Sequence, residues 1–479
     1  MLTYNEIAEN IRRANGYWQK NVAPTQETND VPIPFWDTAA YHTGNMEAFF
    51  ALGDDEYRKY STQWAEANKW TGHPTQAPPE EWTFSYSQDA GSKAALFGDW
   101  QTCFQTYLDL YALDPVPEKI ARAKYVCDYQ LSTGENGYWW WADALYMVMP
   151  VYIKLFQTFG DKKYLDALYR FFKYAKELMY DGEDGMPTPV GGEFRHLFYR
   201  DGSYVGSEIN GIKNFWARGD GWVFAGLAKV LAEMPEDYEH YDYFKKTYLE
   251  MAPAIIACQK VDDEGNGFWT QSMLANYPLS DHNPQGYETS GTGFFTYGLF
   301  WGINYGLLDE DTYLPAAERA LNYLSNVALH PDGKVGYVQP IGSNATQATP
   351  YERTVNFGVG AFLLAMCEAA RFVNGSPANE GYLRRHMWGK WAMKTGCENY
   401  YCCCGGPVTF PAPYEKDGEL TIPAGAAKAL LGKDEDTPVS SLGMKIISLE
   451  NGVKVLSHKE KLFCSKDNAV KELLLELFR

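Results

Sequence analysis

The feature that most constrains this chain is a low-fidelity repeat in which an apolar helix ends in a short turn and an amphipathic helix follows. The joints are Leu52-Gly53-Asp54, Leu113-Asp114-Pro115, Phe159-Gly160-Asp161, Met234-Pro235-Glu236 and Leu308-Asp309-Glu310. Each has the Gly, Asp or Pro chemistry that stops one helix and caps the next. Periodicity predicts helices at roughly 4–19, 41–52, 55–69, 99–113, 116–132, 143–159, 162–179, 217–233, 238–260, 291–306, 310–327 and 355–373. Twelve helices joined alternately by short turns and long loops make six helical hairpins. A closed toroid of six inner and six outer helices buries the Gly- and Ala-rich faces of the inner set. An open solenoid is the alternative.

The repeat stops near Gly375-Ser376-Pro377. Residues 376–479 hold 14 basic and 13 acidic side chains, so the whole negative balance of the chain lies in residues 1–375. We therefore expect a helical domain over 1–375 and a C-terminal extension over 376–479. The extension's clearest signal is a hairpin, Lys445–Glu450 and Val453–Leu456 around Asn451-Gly452. A small β-rich appendage and an unfolded tail both stay open.

An acidic chain repels a phosphate backbone, which argues against nucleic acid as a partner. No run of about 18 apolar residues occurs, so no membrane span is expected. Residues 1–20 lack a basic region followed by an apolar one, which predicts a cytoplasmic protein, or a periplasmic one if a leader has been removed. Cys103, Cys127, Cys258 and Cys367 read as small buried hydrophobes. Aromatic residues make up 16% of the chain, enough to pack a large core or to line a sugar groove.

The chemically loaded residues fall at the starts of the even-numbered helices. They are Tyr41-His42-Thr43-Gly44-Asn45, Asp99-Trp100-Gln101, Trp139-Trp140-Trp141-Ala142-Asp143, Trp216 to Trp222, Glu288-Thr289-Ser290-Gly291-Thr292 and Glu352 to Asn356. In a ring of parallel inner helices these starts converge on one mouth, where free N–H groups and helix dipoles favour a bound carboxylate. Asp99 and Asp143 also fit plain N-caps. Asp143, however, follows three tryptophans, and a desolvated carboxyl holds its proton as a general acid must. Asp99 supplies a second, charged carboxylate. At least one of Trp139 to Trp141 lines the mouth. Arg218, between Trp216 and Trp222, is suited to clamp a carboxylate. Glu288 to Thr292 reads as half capping box, half pocket wall. His42 and His196 are the histidines expected near the mouth. No H-E-x-x-H, paired C-x-x-C or P-loop occurs, and Cys402-Cys403-Cys404 is too compact for tetrahedral zinc, so no metal is expected.

On the segments Trp139–Met147, Trp216–Trp222 and Glu288–Thr292 the sequence resembles the unsaturated rhamnogalacturonyl hydrolases of glycoside hydrolase family 105. It is more distantly similar to the unsaturated glucuronyl hydrolases. The resemblance covers about residues 5 to 373. It implies an (α/α)6 barrel that removes a 4,5-unsaturated uronic acid from the non-reducing end of lyase-generated oligosaccharides, without metal or organic cofactor. It also implies that Asp143 protonates C4 and assists water addition at C5, with Asp99 in support. Trp216, Arg218 and Trp222 would hold the ring and its carboxylate. Tyr41, His42, Trp141, Thr289 and Ser290 complete the expected substrate-binding set. The partner expected is an unsaturated uronate oligosaccharide, bound by a monomer or a homodimer. Some relatives place histidines near the sugar, whereas Leu131 to Tyr138 holds none here. Two rivals need fewer of these groups. A non-catalytic glycan-binding protein needs the tryptophans but not Asp143, and a sugar epimerase on the same barrel needs paired histidines.

Overall fold

The computed structural model describes residues 1–28, 31–185, 189–274, 281–342, 349–374, 387, 390–401, 407–431, 433–457 and 468–479. The joint at 375–377 and the run Cys402-Cys403-Cys404 lie outside the described residues. All twelve expected helices form. The outer ones are α1 (Tyr4–Asn21), α3 (Asp55–Ala67), α5 (Glu118–Ser132), α8 (Lys163–Met179), α10 (Tyr241–Ala257) and α12 (Glu310–Tyr323). The inner ones are α2 (Trp36–Leu52), α4 (Cys103–Leu113), the pair α6 (Asp143–Met147) and α7 (Met149–Phe159), α9 (Ala217–Glu233), α11 (Thr289–Asn304) and α13 (Asn356–Val373). Outer helices bury one face, while inner helices are buried nearly all round, as a two-layer helical ring requires. Gly53 (φ 75°) and Gly160 (φ 68°) end α2 and α7 in the left-handed conformation that glycine adopts without strain.

The sixth expected helix is broken at Val148. Pro150 has no N–H to give Tyr146, its residue i−4, so the helix cannot run on. Gln105 of α4 donates to the carbonyls of Tyr146 and Met147 (2.8 and 3.1 Å) and satisfies the break. The short helix carrying Asp143 is thereby set off from the rest of its rod.

The ring closes where α13 meets α2, with α1 packed over the seam. A Cβ on Gly44 would lie 2.4 Å from the Gly360 carbonyl oxygen, and one on Gly360 would lie 2.4 Å from that of Ala40. Only glycine permits this approach. Gly293 against Ala361 and Gly291 against Ala217 repeat the device around the ring. At one end of the seam Arg371 pairs with Glu47 of α2 and with Glu368, each at 2.6 Å. At the other, Asn356 donates to Asp37 (2.9 Å) and Thr28 (2.7 Å). By length and hydropathy α13 would pass for a membrane span, but it is 89% buried between its neighbours.

The extension folds, and it is β-rich. The expected hairpin forms as Lys445–Ser448 and Val453–Ser457, pairing Ile446 with Leu456, and Asn451 and Gly452 both take positive φ. It edges a five-stranded antiparallel sheet with Lys390–Lys394, Asn399–Tyr401 and Pro407–Thr409. Successive residues serve opposite faces. Ala392, Tyr401 and Val455 pack with Val470 and Leu474 of the helix Asn468–Leu477, whereas Met393, Tyr400 and Leu456 pack with Ile422 and Leu430. Trp391 joins the second cluster.

Gly360→Ala forces a methyl into backbone atoms and should lower stability by about 1–3 kcal/mol, read as a fall in thermal midpoint by circular dichroism. We propose that the extension is separable, because its two apolar clusters are built only from residues of 387–479. Residues 1–375 expressed alone should keep their helical circular dichroism and their turnover.

Candidate active site

The starts of four inner helices and three loops enclose a cavity of about 360 Å³. Its wall is aromatic: Trp36, Tyr86, Phe97, Trp140, Trp141 and Trp216. Its polar groups are Asp99, Asp143, Arg200 and Arg218. Of the three consecutive tryptophans, Trp140 and Trp141 line it, while Trp139 is buried against Tyr152 and Phe171.

Asp99 sits in the 3-10 turn Gly98–Trp100 just ahead of α4, not on the helix itself. Gly98 lets that turn press on the next unit, since a Cβ there would meet Val148 at 2.9 Å and the Trp141 ring at 3.2 Å. Phe97 stacks on Trp141 at 4.6 Å. Asp143 is the first residue of α6, and the strand-like segment before it is fixed by the Ala142 N–H donating to the Arg200 carbonyl (2.8 Å). Both carboxyls are almost fully buried, at 4% and 8% exposure. Asp99 Oδ1 and Asp143 Oδ2 accept no hydrogen bond from the described residues.

Burial pushes the Asp99 carboxyl well above the usual range, the neighbouring Asp143 charge adds to this, and Arg200 opposes it. Burial also raises Asp143, against the opposing fields of Arg200 and Arg218. Two buried carboxyls that face each other hold a proton where isolated ones are ionised. Sequence analysis gives the proton to Asp143 and the charge to Asp99; in the resting site Asp99 is the more strongly raised. The site thus offers a proton donor, a nearby carboxylate, an aromatic slot and two cations, with the carboxyls and Arg218 buried and Arg200 partly open to water.

A family model described as Glycosyl Hydrolase Family 88 matches residues 7–373. The chain belongs to Glycosyl Hydrolase Family 88. It is a glycoside hydrolase. A relative from Formosa agariphila, the unsaturated 3S-rhamnoglycuronyl hydrolase, is 31% identical over 346 residues, 70% of this chain and 84% of that one. A solved family-88 structure from Bacteroides vulgatus is 43% identical, covers 78% of this chain and all of its own, and superposes with a TM-score of 0.69. Another, described as a polysaccharide lyase, is 46% identical over 78% of this chain and 98% of its own, with a TM-score of 0.68. The resemblance read from the tryptophan and arginine segments is borne out. Structures from family 105 and an unsaturated glucuronyl hydrolase from Streptococcus agalactiae share the fold at 13–19% identity.

In this family-88 site Asp99, Asp143, Trp141, Trp216 and Arg218 meet in one cavity, as expected. Five other expected contacts do not reach it. Helix α2 begins at Trp36 rather than Tyr41, which carries Tyr41 and His42 past the mouth into the wall between helices. Tyr41 donates to Asn15 (2.6 Å), and His42 stacks on Trp64 at 3.9 Å with Nδ1 on Ser61. Burial holds the His42 ring well below its usual pKa. Trp222 lies behind the cavity, packed on Tyr146 and Phe294. Thr289 donates to the Gly336 carbonyl (2.7 Å) and Ser290 to Glu288 (2.5 Å). The Glu288 carboxylate caps α11 by accepting from the Ser290 and Gly291 N–H groups, and it also accepts from the Gln339 N–H. These residues hold the 336–342 loop over the mouth. His196 is turned to Tyr180 (3.2 Å), away from the cavity wall.

Arg218 lines the cavity, but its fork is occupied. It donates to the carbonyls of Gln339 (2.9 Å), Pro340 (3.0 Å) and Gly342 (2.7 Å). Its guanidinium lies 4.7 Å from the Trp216 ring and 4.8 Å from Phe357. It is 1% exposed, and burial brings its pKa down to about 10. Its first role is therefore to tie down the loop.

Several wall residues escape sequence reasoning, among them Tyr86, Phe97, Trp36 and Arg200. Trp36 follows the breaker Pro32-Ile33-Pro34, a usable helix-start signal. Arg200 sits in the long connection between α8 and α9, a length that itself marks functional loops.

The raised Asp99 carboxyl has a consequence for stability. Its folded form holds a proton that the unfolded chain gives up near pH 4, so ionisation works against folding as pH rises beyond that point. Asp99→Asn removes the penalty. Its thermal midpoint should exceed that of the parent by roughly 1–3 °C near pH 7 and converge with it near pH 4 in calorimetry.

Proposed function

We propose that this family-88 hydrolase removes a 4,5-unsaturated uronic acid from the non-reducing end of an oligosaccharide, by hydrating the C4=C5 bond. The observation that carries the reading is the pair of buried carboxyls, Asp99 and Asp143, both shifted upward by burial, in an aromatic cavity beside two arginines. The name of the Formosa agariphila relative supports an unsaturated uronyl substrate.

The chemistry follows from the groups present. Asp143 delivers its proton to C4 of the vinyl ether, and positive charge spreads over C5 and the ring oxygen. Water adds at C5 and returns its proton to the Asp143 carboxylate, which restores the acid. The hemiketal at C5 opens, leaving a ketone there and a hemiacetal at C1, which then expels the aglycone. Asp99, held close, stabilises the developing positive charge when ionised and keeps the shared proton available when neutral. The rings of Trp141 and Trp216 supply flat apolar faces for the C–H surface of the sugar. The steps need no metal or organic cofactor.

A second reading comes from the neighbour described as a polysaccharide lyase. One assay separates the two by sign. A hydrolase of this kind destroys the ultraviolet absorbance of the conjugated uronate in lyase-digested pectin or ulvan. A lyase creates that absorbance from the intact polymer, and a glycan-binding protein changes neither. We expect loss of absorbance on the digest. Asp143→Asn should lower kcat by at least ~10²-fold with little change in helical content or thermal midpoint. Near-normal turnover in that variant would remove Asp143 from the mechanism.

A further inference from the structure

We propose that Arg200, not Arg218, holds the carboxylate of the unsaturated uronate. The proposal rests on the unsaturated-uronyl reading above and assigns the recognition element of that same cavity.

Arg218 has little left to give. Both of its terminal nitrogens donate to main-chain carbonyls of 339–342, and its flat faces are covered by Trp216 and Phe357. A substrate carboxylate could claim the fork only by stripping buried carbonyls of their donors, which leaves those carbonyls unpaired. The Arg218 Nε has no partner among the described residues, but it is buried. Arg200 differs in its exposure and in its terminal nitrogens, only one of which makes a hydrogen bond. Its side chain lines the cavity and remains 29% exposed. One terminal nitrogen donates to Asp201, and Nε is buried with no partner among the described residues. The ion pair orients the guanidinium rather than consuming it, because Asp201 is itself held by the Ser203 N–H (2.7 Å) and hydroxyl (2.5 Å).

Position points the same way. The Arg200 main chain is bonded to Ala142, the residue before Asp143, and its neighbour Asp201 bridges Trp141. The Phe198 N–H donates to the buried Asp220 carboxyl (2.7 Å), which anchors the approach to Arg200 on α9. In the substrate the carboxylate is carried on C5, one bond from the C4 that Asp143 protonates. A cation fixed beside Asp143 therefore lies where that carboxylate must fall. A bidentate guanidinium there also disfavours binding of an uncharged sugar, because it would leave a desolvated cation unpaired.

The test compares the intact enzyme with Arg200→Gln, Arg200→Lys and Arg218→Lys. The substrates are an unsaturated uronyl disaccharide as the free acid and as its methyl ester, which removes the negative charge. The parent should prefer the acid by about 10–100-fold in kcat/KM, the range for a hydrogen-bonded charge. In Arg200→Gln that preference should collapse toward one, with the acid's KM rising more than its kcat falls. Arg200→Lys should keep part of the preference, and it serves as the reading if the neutral variant does not fold. Arg218→Lys should lose thermal stability yet keep the acid preference. Collapse in Arg218→Lys with the preference intact in Arg200→Gln would overturn the assignment. A parent enzyme that consumes neither substrate would instead refute the unsaturated-uronyl reading itself.

Discussion

The structure depends on the close approach of α2 and α13. Gly44 and Gly360 face each other's backbones at a distance that no side chain tolerates. That contact turns a row of helical hairpins into a ring. Once the ring is closed, the starts of four inner helices and three loops form a single cavity, although its lining runs from Trp36 to Gly342 in sequence. The buried Glu47–Arg371–Glu368 cluster and the Asn356–Asp37 bond fix the seam at its two ends. An isolated charged cluster of this kind adds little net stability, but it specifies which two helices meet.

The two carboxyls and Arg218 at this mouth are buried, and burial sets their chemistry. It raises Asp99 and Asp143 above the usual carboxyl range, and both feel the field of Arg200. Around them, most polar side chains at the helix starts are spent on structure. Glu288, Thr289 and Arg218 bind the 336–342 loop that forms one wall, and Ser290 donates to Glu288. The division between scaffold and chemistry is therefore made by hydrogen-bond occupancy. Asp99, Asp143 and Arg200 line the cavity and keep polar atoms that make no hydrogen bond to the described residues, whereas both terminal nitrogens of Arg218 are taken by the loop.

Much of this was legible in the sequence, for definite reasons. The hairpin joints carry helix stop and start chemistry, so all twelve helices and the two-layer ring follow from periodicity. Asn451-Gly452 between alternating strands marks the tail hairpin, because both positions require positive φ. Asp143 stands out by its tryptophans. The errors also share a cause. A residue's place at a helix start does not say which way it faces or what it already bonds. Placing the start of α2 five residues late brought Tyr41 and His42 to the mouth on paper, whereas Trp36 is the residue that lies there. Thr289 and Ser290 were read as pocket wall, yet the Thr289 hydroxyl serves a loop distant in sequence and the Ser290 hydroxyl serves the capping Glu288. Arg200 lies in a connection with no periodic signal, and only the folded pairing of 200–201 with 141–142 shows that it flanks Asp143.

The central claim is that this cavity protonates C4 and hydrates C5 instead of displacing the aglycone directly at C1. Turnover of an unsaturated uronyl disaccharide in deuterated water, followed by proton NMR from the first minutes, tests it most directly. Protonation by the fixed Asp143 predicts a single deuterium at C4 in one configuration, with loss of the vinyl proton signal no slower than aglycone release. Release of the aglycone with the vinyl proton still present in the freed sugar would contradict the account.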